Sequence, residues 1–167
     1  LNGTIALDSD TDDNDATAAF RMDGGAGSGV LVLPGTTPFS TTGIGTETLN
    51  FGGNGDVANV NYSGGAQTVS NAASYRNLTL SGSGVKTTTG VTVNLKLSIQ
   101  GTATVGNTIN YGTAILEYKG SAAQTTSNNE FLTGDADLEE VIIDNPAGVT
   151  LSSARTLDGV LTLTNGF

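Results

Sequence analysis

The chain contains no cysteine and no histidine. Without cysteine there is no disulfide framework and no thiolate metal site. Without histidine the commonest metal ligand and the usual proton shuttle near neutral pH are missing as well. Bases are scarce too: six Lys and Arg stand against 16 Asp and Glu, a formal net charge of −10. Such a chain has no basic stripe to neutralise phosphates, which argues against a nucleic-acid partner and equally against an anionic membrane surface. No stretch approaches the roughly 20 apolar residues of a membrane-spanning helix. The chain opens at Leu1 with no leader sequence, as expected of a processed product or a segment of something longer.

What the chain has instead is glycine, 24 residues of it, with abundant Thr, Ser and Asn around an apolar fraction of 37%. Charged residues make up 13%, well under the roughly 25% of an average soluble domain. Hydroxyls and amides therefore wet the surface in place of Lys and Glu. Val, Ile, Leu and Thr recur in short alternating stretches bounded by Gly and Asn, which is the pattern of strands and turns. The composition predicts an all-β fold, and 167 residues suffice to bury a substantial core.

Six short segments carry apolar pairs at i and i+2: Val60/Tyr62, Leu78/Leu80, Leu97/Ile99, Leu116/Tyr118, Val141/Ile143 and Leu161/Leu163. The pairs follow one another at a nearly constant interval, broken only by the longer step from Leu116 to Val141. A second ladder, Ala73/Tyr75, Val91/Val93 and Ile109/Tyr111, advances in equal steps of the same size. Between the members of the first ladder's pairs stand Asn61, Thr79, Ser98, Glu117, Ile142 and Thr162, polar in five of six cases. A strand of that kind has one buried face and one wet face. Its recurrence predicts a parallel, β-helix-like β-solenoid with coils of about 18–20 residues and equivalent strands about 4.8 Å apart. The longer step requires an outward loop, which the polar stretch Asn128 to Asp137 can supply. The alternative is a β-sandwich with an inserted N-terminal strand, although a sandwich has no reason to keep a fixed residue period.

A longer repeat overlies the short one. Tyr62-Ser63-Gly64-Gly65-Ala66-Gln67-Thr68 returns further along as Tyr118-Lys119-Gly120-Ser121-Ala122-Ala123-Gln124-Thr125. A seven-residue pattern, apolar at its first, fifth and seventh positions, occurs at Leu1 to Leu7, Val93 to Ile99 and Leu157 to Leu163. The segment Tyr75-Arg76-Asn77-Leu78-Thr79-Leu80-Ser81-Gly82-Ser83-Gly84-Val85-Lys86-Thr87 and the later Asp144-Asn145-Pro146-Ala147-Gly148-Val149-Thr150-Leu151 resemble repeats in large secreted surface proteins and adhesins of the Bacteroidota type. The resemblance covers the runs Tyr62 to Val105 and Leu138 to Phe167 and implies an extracellular repeat array of the kind exported by a type IX route. No sorting domain for that route is visible, and among the first fifty residues only Leu1 to Leu7 fits the pattern.

The residues that could carry chemistry are few. The acidic run Asp8, Asp10, Asp12, Asp13 and Asp15 places five carboxylates within eight residues, and Ca²⁺ takes six to eight oxygen ligands. Calcium is therefore the one candidate cofactor, set against a solvated acidic turn that lacks the glycine and distal Glu of an EF-hand loop. Asn2, Asn61 and Asn77 head sequons, which permit glycosylation but also arise by chance in a chain rich in Asn and Thr. Gly24 to Gly29 lacks the Lys and the helix start of a phosphate loop, so it is a turn. No catalytic residues are assigned: Glu117, Glu139, Glu140, Asp135 and Asp137 show no spacing that singles out an acid–base pair. Thr pairs such as Thr102/Thr104 and Thr162/Thr164 suit half-buried strands better than an ice-binding face.

The ends carry the remaining expectation. Leu161 to Phe167 finishes on an alternating segment with no capping residues behind it, and Leu1 to Leu7 has the same apolar spacing. Open strand edges invite strand addition from another chain. Leu1, Ile5, Leu7, Leu161, Leu163 and Phe167 are the expected assembly residues, with partners that are further copies or neighbouring repeats of one longer chain. The organisation expected is an N-terminal strand and Asp-rich turn over 1–15, a Gly/Thr-rich β region over 16–56 acting as a cap, and a β-repeat body over 57–167. The function expected is that of an extracellular structural protein, a filament subunit or adhesin stalk, and not an enzyme. A carbohydrate-active or carbohydrate-binding β-helix domain is the alternative.

Overall fold

The structure is a computed structural model of the chain and describes residues 5–9, 17–21, 30–43, 46–51, 58–71, 74–131 and 138–165. Every regular element among the described residues is a strand. In chain order they are β1 (Ile5–Ser9), β2 (Thr17–Arg21), β3 (Val30–Leu33), β4 (Phe39–Gly43), β5 (Thr46–Asn50), β6 (Asn59–Tyr62), β7 (Gln67–Thr68), β8 (Tyr75–Leu80) and β9 (Ser83–Thr87). They continue as β10 (Thr92–Gln100), β11 (Thr102–Val105), β12 (Asn110–Tyr111), β13 (Ala114–Lys119), β14 (Gln124–Thr125), β15 (Leu138–Asp144), β16 (Val149–Thr150) and β17 (Val160–Asn165). All of their pairings are parallel, which is at odds with a β-sandwich of antiparallel sheets.

One large sheet of eight strands runs β17-β15-β13-β10-β8-β6-β3, with β12 pairing to β10 beside that path. A second sheet runs β11-β9-β7, and β14-β16, β1-β4 and β2-β5 are two-stranded pairs. Parallel neighbours cannot be joined by a tight hairpin and need a crossover. The short strands β7, β9, β11, β14 and β16 lie on these crossovers: the chain leaves the large sheet, adds one short strand elsewhere, and returns one strand further along.

The register matches the ladder in the sequence. Val60, Leu78, Leu97, Leu116, Val141 and Leu161 are successive cross-strand partners, and so are Tyr62, Leu80, Ile99, Tyr118, Ile143 and Leu163. In the second ladder Tyr75, Val93 and Tyr111 pair in turn, while Ala73 lies outside the described residues. The seven-residue pattern is explained by β10, which pairs in two runs with a register shift between Val93 and Lys96. Its first apolar position serves one run, and Leu97 and Ile99 serve the other. The N-terminal copy is not equivalent: β1 pairs with β4 and stands outside the large sheet.

The connections are sharp where the large sheet hands over to the second one. Gly82 and Gly101 sit there at φ 75° and 64°, a conformation that costs glycine nothing and a residue with a Cβ about 1 kcal/mol or more. The positions are also crowded, since a Cβ on Gly101 would collide with the carbonyl oxygen of Gly82.

The core lies between these sheets. Leu33, Val60, Tyr62, Tyr75, Leu80, Val91, Val93, Leu97, Ile109 and Leu116 are completely buried. Toward the N-terminal strands it becomes aromatic: Phe20, Phe39 and Phe51 pack at tilted angles, and Phe51 stacks on Tyr75 at 4.8 Å between ring centroids. Two expectations need correction. Ser98 and Glu117 alternate with core residues as predicted but are buried, at 4% and 6% exposure, because neighbouring polar side chains cover them. The stretch from Asn128 is not wholly an outward loop, since Glu130 and Phe131 are buried; residues 132–137 lie outside the described residues.

Candidate functional site

The outer side of the large sheet is a grid of polar side chains. Period-two alternation puts Leu78, Leu97 and Leu116 inward, so Asn77, Lys96 and Ser98 must point outward. Cross-strand register then sets Lys96 beside Asn77, Ser98 between Thr79 and Glu117, and Gln100 beside Lys119. Glu117 is the hub. It accepts hydrogen bonds from the Lys96 ammonium at 2.7 Å and the Ser98 hydroxyl at 2.7 Å, and Gln100 donates to Ser98 at 3.1 Å. Lys119 forms a more exposed pair with Asp144 at 3.2 Å. That contact holds the Lys119 pKa above its usual value, while Asn165 first and Lys119 second hold the Asp144 carboxyl below its own. Asn59, Asn77, Thr79, Ser98, Gln100 and Lys119 rim an open recess of about 230 Å³ over this grid.

A second set of polar groups is internal. Gln67 on β7 donates from Nε2 to the carbonyl oxygens of Leu33 and Gly35 at 2.7 and 2.5 Å. Its Oε1 accepts from the Lys86 ammonium at 2.7 Å, and that ammonium also donates to the carbonyls of Gly64 and Gly65. Burial draws the Lys86 pKa down to about 8. Gln124 repeats the device: its Nε2 donates to the Ile99 carbonyl at 3.0 Å and its Oε1 accepts from Asn145 at 2.7 Å. This accounts for the longer sequence repeat, whose two copies end on Gln67-Thr68 and Gln124-Thr125. Gln67 ties its crossover to the end of β3 and to β9, and Gln124 ties its own to the end of β10 and to the turn after β15. Tyr118 donates to the buried carboxylate of Glu130 at 2.6 Å, while Tyr62 and Tyr75 share a hydroxyl–hydroxyl contact of 2.8 Å. Burial raises the pKa of all three tyrosines.

The third feature is the β17 side of the molecule, where the core comes to the surface. Leu151, Val160, Leu161 and Leu163 are about half exposed or more, at 54%, 61%, 53% and 49%. Leu151, Leu161 and Leu163, together with Tyr118, Phe131, Ile143 and Leu157, surround an open apolar recess of about 290 Å³. At its rim the Arg155 guanidinium lies over the Phe131 ring, 5.4 Å from the centroid. Positions that are buried in β8, β10 and β13 are thus left in water at β17.

The predicted site residues separate accordingly. Leu161 and Leu163 form the exposed edge; Ile5 and Leu7 stand on β1, paired to β4; Leu1 and Phe167 lie outside the described residues. Of the acidic run only Asp8 belongs to a described element, at the end of β1, while Asp10, Asp12, Asp13 and Asp15 lie outside. Among the described residues no cluster of three or more acidic side chains is placed to hold a metal. Asn2 lies outside the described residues. Asn61 accepts a hydrogen bond from Ser81 at 2.7 Å, and Asn77 donates to the Ala58 carbonyl at 3.4 Å. Glu139 is exposed, and Glu140 accepts a hydrogen bond from Thr162. The internal glutamine ties and the Glu117 hub were not visible in the sequence, since each depends on residues distant along the chain. Compared with protein-family models, curated proteins and solved structures, the chain matches none.

Proposed function

We propose that the chain is a β-solenoid segment of an extracellular structural or adhesive rod, extended end to end by β-strand pairing. The observation that carries this is the β17 side. A ladder of equivalent apolar positions runs in register through the large sheet and ends on a strand whose Leu161 and Leu163 are half exposed. An open parallel edge backed by uncovered core is a site for strand addition. The partner is either another copy or the next repeat of a longer chain, and a contact of this head-to-tail kind gives a filament unless it closes into a ring.

The solenoid reading is supported by the parallel pairings, by the near-constant advance of the apolar ladder along the chain, and by the repeated crossover strands. The resemblance to surface repeats supports the extracellular setting, and a hydroxyl-rich, low-charge surface suits a passive spacer more than a catalyst. Electron micrographs of the purified chain, together with sedimentation velocity across a concentration series, test the proposal. Rods that lengthen with concentration are expected. Globular monomers at every concentration, with no gain in stability when two copies are fused in tandem, would overturn it.

A further inference from the structure

The chain's charge is unevenly distributed along the sequence, and within the outer grid Lys96 and Lys119 are paired with Glu117 and Asp144. From residue 57 to 119 there are four bases (Arg76, Lys86, Lys96, Lys119) and one acid (Glu117), a net charge of 4 − 1 = +3. The rest of the chain carries −10 − 3 = −13. Lys86 is buried, whereas the Lys96 and Lys119 side chains are 35% and 50% exposed beside the recess.

We infer that this recess on the outer side of β6, β8, β10 and β13 binds an acidic saccharide, with the Lys119 ammonium receiving a uronate carboxylate. The rim supplies what a sugar requires: amides from Asn77 and Gln100 and the hydroxyl of Thr79, each able to donate and to accept. At about 230 Å³ the recess is smaller than the roughly 300–1,000 Å³ of a pocket that encloses a drug-sized ligand. It therefore holds one unit of a longer chain that runs on across an open sheet. The two ion pairs divide the work. In Lys96–Glu117 the carboxylate is covered and takes a second hydrogen bond from Ser98, so it is a fixed part of the floor. Lys119–Asp144 is exposed, and surface pairs contribute little. A ligand carboxylate can therefore displace Asp144, which keeps its bond from Asn165 at 2.6 Å.

The test is calorimetric titration of the full chain with tetragalacturonate, with maltotetraose as the neutral control and dextran sulfate as a generic polyanion. Saturable binding of tetragalacturonate is expected. Lys119→Gln should weaken it about tenfold, as befits one charge-assisted hydrogen bond. Asp144→Asn, which removes the competitor, should tighten it, and raised salt should weaken it. No binding, equal binding of maltotetraose, or dextran sulfate binding that Lys119→Gln leaves unchanged would each overturn the inference. So would self-association through this face, seen as a change in sedimentation of Lys119→Gln without saccharide. Rod formation is read separately, so the two proposals fail independently.

Discussion

Lys86 shows how a single residue can hold a crossover. An ammonium removed from water without a carboxylate partner is costly, yet this one satisfies three acceptors: the carbonyls of Gly64 and Gly65 and the Gln67 side chain. Replacing it with Met leaves those three oxygens without their donor, and a loss of about 2–5 kcal/mol is expected in urea unfolding. The residue also predicts a pH profile. Its pKa is about 8 in the folded chain against 10.5 for an unperturbed lysine. Between those values the unfolded chain binds the extra proton, so stability rises with pH in that window. Tyr62, Tyr75 and Tyr118 act in the opposite sense, because their folded pKa values lie above the usual 10. Above pH 10 the unfolded chain releases protons that the folded chain keeps, and stability falls. The melting temperature should therefore rise from pH 8 toward 10 and then drop, and Lys86→Met should flatten the rising limb alone. The sequence shows Gln67 and Gln124 as matching members of a repeat, but not that they tie crossovers. Their partners, Lys86 and Asn145, are different residue types and share no motif.

At the scale of the strand, the alternating ladder was legible because one physical demand repeats at each step: an inward residue must cover the one before it. Leu97 lies between Leu78 and Leu116 and is completely buried. Leu97→Ala should cost about 2–5 kcal/mol, set by how far its neighbours can close the cavity. The corners between strands obey a different constraint, set by backbone shape. Gly101→Ala must accept a positive φ and a contact with the Gly82 carbonyl, and a loss of about 1–3 kcal/mol is expected. Gly65→Ala is the matched control, with nothing near the added Cβ and no positive φ; its melting temperature should stay close to that of the parent. The buried positions of Ser98 and Glu117 were less legible. Alternation assigns a side of the sheet, but it does not say whether a long neighbour such as Lys96 folds over that side and seals it. Several crossover strands were hidden for another reason: β7, β14 and β16 are two residues long, too short to show a period.

For the whole molecule, the consequential feature is that layers of the large sheet are nearly equivalent while, among the described residues, no strand lies beyond β17 and Leu161 and Leu163 are half exposed. In such an array stability is close to a sum of layer and interface terms. A copy that gains a neighbour on β17 therefore gains one more interface of the kind that already joins β13 to β15. The apolar side chains available for it are Leu161 and Leu163, partners of Val141 and Ile143 on the inner side and half exposed on the outer. Replacing both with Lys puts charge on an edge, which is how natural sheets discourage strand addition. Because each is already about half in water, the isolated chain should stay folded, with a loss of roughly 1.5–3 kcal/mol set by the buried half of each leucine. Sedimentation velocity and negative-stain micrographs should then show monomers under the conditions in which the parent is expected to form rods. Rods of parental length from the double variant, with a circular dichroism spectrum matching the parent, would mean that assembly does not use this edge. A parent that remains monomeric, while a tandem fusion of two copies melts higher than one copy, would place the same contact between consecutive repeats of a longer chain.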